Sequence, residues 1–162
     1  MTDTDIYNGD ELRDLYRELI LDHARNPRHF GKLDDATHTA AGINPLCGDK
    51  LKLYLRLDAA KKIDAASFEG SGCAISVASA SLLTDAIIGL DTPQAMDYFN
   101  AVTSRLTHAE RSHELSTSID IGKMRALDGV REFPARIKCA TLAWKTLEAA
   151  LNGRTQSTTT EE

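Results

Sequence analysis

The sequence predicts an α+β fold, a small antiparallel sheet of about three strands covered on one face by helices. Three observations predict it. Residues 50–57 alternate strictly, with Leu51, Leu53, Leu55 and Leu57 on one side and Lys50, Lys52, Tyr54 and Arg56 on the other. This is the period of a strand with one face in the core and one in water. A second strand-like run, 63–69, follows a short turn-like connection at 58–62, as in an antiparallel hairpin. The helical patterns lie before and after this block rather than between its strands, which argues against a βαβ alternation.

The elements follow in order. In 11–24, Leu12, Leu15, Tyr16, Leu19 and Ile20 recur at helical spacing, and Asn26-Pro27 with Gly31 end that helix. Residues 37–43 form a short strand leading to Asn44-Pro45. Gly70-Ser71-Gly72 interrupts the second hairpin strand. From Cys73 to Ile88 an Ala/Ser-rich helix follows, with Ile75, Ala78, Leu82 and Ala86 in one stripe and Gly89 at its C-terminal cap. Its small residues permit close approach to neighbours. Thr92 as N-cap and Pro93 at the first helical position start a helix to about residue 106. Residues 107–134 read as a polar loop carrying a short helical segment at 124–130 and ending at Pro134. The last helix, 137–151, buries Leu142, Ala143, Thr146, Leu147, Ala150 and Leu151. Residues 1–151 are expected to form one domain, and the polar residues 152–162 a disordered tail.

Composition narrows the function classes. A net charge of −5, with never more than two basic residues adjacent, argues against a nucleic-acid partner. Aromatics at 6% are too few for a base-stacking platform. The acidic start Met1-Thr2-Asp3-Thr4-Asp5 has neither the pattern of a secretory signal nor that of a transit peptide. The apolar runs fall short of the roughly 18 residues that a membrane span needs. The expected compartment is the cytoplasm, where thiols stay reduced, so the three cysteines are not read as a disulfide framework.

Cys47, Cys73 and Cys139 are far apart in sequence but share a setting. Cys47 sits in a turn between Pro45 and Gly48, Cys73 at a helix start, and Cys139 near the start of the last helix. Side chains at element ends can converge on one point. A helix N-terminus favours thiolate, the form that binds metal and attacks sulfur, and Lys50, Arg136 and Lys138 add nearby positive charge. Asp49 follows Cys47 across Gly48, whose backbone freedom can turn both side chains the same way. Three thiolates and one carboxylate make a tetrahedral set suited to Zn²⁺. The plainer readings stand beside this one. A free cysteine often only fills space in a core, and an Asp at a strand end often only shapes a turn. His23, His29, His38, His108 and His113 read as surface residues, and Trp144 as a core or boundary residue. Tyr16, Arg17, His23 and Arg25 read as a solvated face, with a docking surface as the alternative.

Three motifs then carry a resemblance. Residues 44–49 (Asn-Pro-Leu-Cys-Gly-Asp), 70–81 (Gly-Ser-Gly-Cys-Ala-Ile-Ser followed by Val and Ala-Ser-Ala-Ser) and 136–144 (Arg-Ile-Lys-Cys-Ala-Thr-Leu-Ala-Trp) resemble, in order, the three cysteine motifs of the IscU/SufU (NifU N-terminal-like) family of iron–sulfur cluster assembly. The likeness covers about residues 12–151. It is closer to the SufU type. The stretch between Cys73 and Cys139 is longer than in the IscU type and its polar segment around 107–134 resembles the SufU insertion, Lys138 stands where IscU-type proteins carry His, and Phe133-Pro134-Ala135-Arg136-Ile137 replaces their chaperone-docking motif. The resemblance implies an α+β fold and a zinc ion held by Cys47, Asp49, Cys73 and Cys139. It implies a SufS-type, pyridoxal-phosphate-dependent cysteine desulfurase as partner, with downstream Suf assembly components beyond it. It also implies a zinc-dependent sulfurtransferase activity, in which a desulfurase residue displaces one thiolate from zinc and the freed thiolate accepts persulfide sulfur. Cys47, in a turn, is the expected acceptor, and Arg136 is expected beside the ligands or at the docking surface. Two alternatives accompany this reading: a scaffold on which a [2Fe–2S] cluster is assembled, and a module whose zinc only holds the fold.

Overall fold

The computed structural model describes residues 9–107, 122–153 and 158–160, with side chains described from Tyr16 onward in the first helix. Element order is α1 (Gly9–Arg25), β1 (His38–Asn44), β2 (Asp49–Leu57), β3 (Ile63–Ser71), α2 (Ala74–Ile87), α3 (Thr92–Thr107), a 3₁₀ stretch (Gly122–Glu132), α4 (Pro134–Leu151) and β4 (Thr158–Thr159). The α+β architecture is the one the sequence predicts. The sheet, however, has four strands in the order β3-β2-β1-β4.

Strands β1, β2 and β3 pair antiparallel. Alternation on β2 decides which face is covered: Leu51, Leu53 and Leu55 are buried, whereas Lys50 and Lys52 are exposed. Helix α4 packs on β1 and β2, and α2 packs on α4 and β3. The small residues of α2 allow this closeness, as Ser79 Oγ donates to the Ala140 carbonyl of α4 at 2.6 Å. Trp144, fully buried, stacks on Tyr98 of α3 at a 6.3 Å centroid separation. Helix α1 lies against α2, where His23 Nδ1 and Ser81 Oγ are 2.7 Å apart.

Four expectations change. His23 is buried, not a surface residue. Asp91, not Thr92, caps α3: the Gln94 N–H donates to Asp91 Oδ1 and the Asp91 N–H to Gln94 Oε1, a reciprocal capping box. The last helix begins at Pro134, where a proline costs no hydrogen bond. Part of the tail expected to be disordered is ordered, because Thr158–Thr159 pairs parallel with Gly42 and Ile43 of β1, and Thr160 is buried. His108, His113, most of the insertion and the rest of the tail lie outside the described residues.

Candidate metal centre

The site is built at one end of the sheet. β1 and β2 are joined by the four residues 45–48, and the register places Asn44 directly opposite Asp49. Both belong to the helix-covered face, because Asn44 continues the buried series Ala40–Gly42 and Asp49 precedes Leu51–Leu53–Leu55. Both are buried, at 0% and 1% exposure. Cys47 rides on the loop, half-buried, and Gly48 takes φ +71°, the left-handed region that favours glycine in so tight a connection.

Strand β3 turns through Gly72 into Cys73, the N-cap residue of α2. The Cys73 N–H donates to Asp49 Oδ1 at 2.9 Å, which ties the start of α2 to the start of β2. Gly72 is required by that contact: a Cβ there would lie 2.4 Å from Asp49 Oδ1. Cys139 projects from the second turn of α4 into the same space and is fully buried.

The donor atoms of Cys47, Asp49 and Cys139 all lie within 4.8 Å of one another. Cys139 Sγ donates to Cys47 Sγ at 3.3 Å. Cys73 is adjacent through its backbone, but its Sγ is outside this three-atom cluster and accepts the Ser76 N–H at 3.4 Å, capping its own helix. The Arg136 guanidinium, exposed at the rim, reaches Cys47 Sγ at 4.0 Å. Lys50 alternates to the opposite face from Asp49 and is exposed.

Electrostatics separate these groups. Burial pushes the Cys139 thiol far above its ordinary range, and hydrogen bonding with Cys47, Cys73 and Asp49 adds to the effect. Burial thus opposes the thiolate at Cys139, against the expectation from its place near a helix start. Arg136 is held charged above its usual range, first by hydrogen bonding to Cys139 and then by the charges of Cys73, Cys139 and Cys47.

Asn44 is the residue that sequence reasoning missed. Its Nδ2 donates to Asp49 Oδ2 at 3.1 Å and to Cys139 Sγ at 3.5 Å. The available signal was its place in the first-cysteine motif, three residues before Cys47. The three clustered donors suit three corners of a tetrahedral site for a thiophilic cation. Zn–S bonds of about 2.3 Å imply sulfur–sulfur edges of about 3.7 Å, and the Cys47–Cys139 separation of 3.3 Å is within half an ångström of that.

The chain matches the model of the NifU-like N terminal domain over residues 15–140. It is 45% identical over 137 residues to the zinc-dependent sulfurtransferase SufU of Bacillus subtilis, covering 85% of this chain and 89% of that protein. It is 37% identical over 141 residues to the iron–sulfur cluster assembly scaffold protein IscU of Streptococcus pyogenes, covering 87% of this chain and 85% of that protein. The crystal structure of an iron–sulfur cluster assembly scaffold protein for the SUF system from Fervidobacterium islandicum superposes with a TM-score of 0.74 at 31% identity, over 93% of this chain and 99% of that one. The protein belongs to the NifU-like N-terminal domain family, alongside the SufU and IscU proteins of iron–sulfur cluster assembly.

Proposed function

We propose that the protein is a zinc-dependent sulfurtransferase of iron–sulfur cluster assembly, accepting persulfide sulfur from a SufS-type cysteine desulfurase. The observation that carries the reading is the clustering of the Cys47, Asp49 and Cys139 donors within 4.8 Å in a chain 45% identical to a zinc-dependent sulfurtransferase. Cys47, Asp49, Cys73 and Cys139 are the ligands in this reading, with Cys73 turning its sulfur from the Ser76 N–H into the site. Zinc, when bound, supplies a redox-inert Lewis acid that keeps cysteine sulfurs as thiolates.

Cys47 is the acceptor. It is half-buried on a loop, whereas Cys139 is enclosed and Cys73 caps a helix. The Arg136 guanidinium lies 4.0 Å from Cys47 Sγ, at the side from which a partner would approach. The Cys47 thiolate attacks the terminal sulfur of the desulfurase persulfide. A new S–S bond forms on Cys47, the donor cysteine leaves as thiolate, and the proton stays with the transferred sulfur. The desulfurase and downstream Suf components are the partners, and the compartment is the reducing cytoplasm. Among the described residues, no helix is long and apolar enough to cross a membrane.

The test is desulfurase turnover with wild-type protein and with Cys47→Ser, each zinc-loaded. Alanine production should rise strongly only with wild type. An equal rise with Cys47→Ser would remove the acceptor assignment. The second reading, a scaffold for a [2Fe–2S] cluster, is favoured by the scaffold relatives and by thiolate ligation of iron. It requires a persistent chromophore with stoichiometric iron and sulfide after anaerobic incubation with iron, cysteine and desulfurase. The transferase reading predicts none.

A further inference from the structure

The short strand Thr158–Thr159 reaches the candidate metal centre through the residue that follows it, Thr160. β4 extends the sheet beside β1, and the Thr160 N–H donates to the Ile43 carbonyl at 3.2 Å. That bond sets the Thr160 side chain against Asn44, and Thr160 Oγ1 donates to Asn44 Oδ1 at 3.0 Å. Thr160 is buried at 3% exposure and Asn44 at 0%, so neither bond competes freely with water.

Asn44 then faces three groups with both ends of its amide. Its carbonyl oxygen accepts from Thr160, while its amide nitrogen donates to Asp49 Oδ2 and Cys139 Sγ. The polarity is fixed by chemistry. A flipped amide would set its oxygen against the Asp49 carboxylate and its nitrogen against the Thr160 hydroxyl, leaving the carboxylate without this donor. With Asn44 on Oδ2 and the Cys73 N–H on Oδ1, both Asp49 oxygens are oriented.

We propose that Asn44 and Thr160 are positioning residues of the metal centre. Asn44 aims the Asp49 carboxylate and the Cys139 sulfur, and Thr160 acts only through Asn44 by locking its amide. The β4 strand is thereby part of the site's support rather than a passive tail. The inference rests on the proposed zinc reading and adds to it two residues outside the ligand set.

Zinc affinity of the full chain, measured by competition with a chromophoric chelator, tests it. The visible absorption of the cobalt(II)-substituted protein reports coordination geometry, and melting of the metal-free protein reports folding. Outer partners of metal ligands typically hold about 10–100-fold in affinity, and Asn44→Ala should lose that much. Thr160→Val should lose several-fold in affinity and alter the cobalt spectrum, with a lower metal-free melting temperature because buried Asn44 Oδ1 loses its donor, and Thr160→Ser should recover wild-type affinity and spectrum. The decisive arm is the double variant. Because Thr160 works through Asn44, Thr160→Val should cost nothing further once Asn44 is alanine. Unchanged affinity and cobalt spectrum in both single variants would overturn the inference while leaving the zinc reading intact. Additive losses in the double variant would overturn the route through Asn44. A wild-type chain that takes up neither metal would overturn both.

Discussion

At the residue scale, Asp49 is the most heavily constrained group in the site. Its two oxygens are held by the Cys73 N–H and by Asn44, and Gly72 packs against it with no room for a side-chain carbon. Gly72→Ala therefore has a specific expected effect. The new Cβ forces the carboxylate to rotate, breaking one or both of its bonds, and hydrogen bonds to charged groups are worth about 1.5–3 kcal/mol each. Urea denaturation of the metal-free variant should register a loss of that size, and chelator competition should register weaker zinc binding. A variant equal to wild type in both would mean that the strand end moves instead of the carboxylate. The sequence made the cysteines and Asp49 visible, because thiols and a carboxylate at element ends are uncommon enough to notice. Asn44 stayed hidden because its role depends on the β1–β2 register, which a four-residue loop sets and no local pattern records. The altered standing of Cys139 was hidden for a similar reason. Its sequence place near a helix start suggested a thiolate, whereas its burial against the sheet end raises its pKa.

At the element scale, the hairpin and α2 were legible because each repeats its signal over many residues, with period two in β2 and a continuous small-residue surface in α2. What escaped was short or capped by unlike residues. β4 is two threonines, and nothing in two residues can display a period; its order comes from the β1 edge. The start of α3 was misread by one residue because Thr92-Pro93 is a good local start signal, and the Asp91–Gln94 box outcompetes it by satisfying two N–H groups at once. The packing of α1 on α2 yields a test at this scale. Ser81 Oγ accepts the Arg28 N–H at 2.8 Å and meets His23 Nδ1 at 2.7 Å, so one buried hydroxyl joins α1, the chain leaving it and α2. Ser81→Ala removes that shared partner, and stripping a buried donor of its acceptor costs about 1–3 kcal/mol. The urea midpoint should fall by the corresponding amount with an unchanged slope. A midpoint equal to wild type would show that water replaces the hydroxyl and that the helix pair is held by its apolar contacts.

At the scale of the whole molecule, the candidate metal centre sits where otherwise separate parts meet. Cys47 and Asp49 belong to the β1–β2 hairpin, Cys73 to the junction of β3 and α2, and Cys139 to α4, while β4 reaches the same point through Thr160 and Asn44. These groups are remote in sequence, with Cys47 and Cys139 92 positions apart, so a cation held by them would cross-link the sheet to two helices. Binding to the folded state alone stabilises it by mass action, about 2.7 kcal/mol when free metal is 100 times the dissociation constant. For a chain of this length each kcal/mol moves the midpoint by about 2–4 °C, so zinc loading should raise the melting temperature by about 5–11 °C. Trp144, the single tryptophan, is fully buried on α4 five residues beyond Cys139 and reports the transition by fluorescence. The dependence on zinc concentration carries the argument. A midpoint that climbs logarithmically with free zinc and falls back after chelation is the signature of binding linked to global unfolding. A midpoint indifferent to zinc, in a protein that chelator competition shows to be loaded, would mean that the ligands are equally available in the unfolded chain and that the site does not hold sheet and helices together.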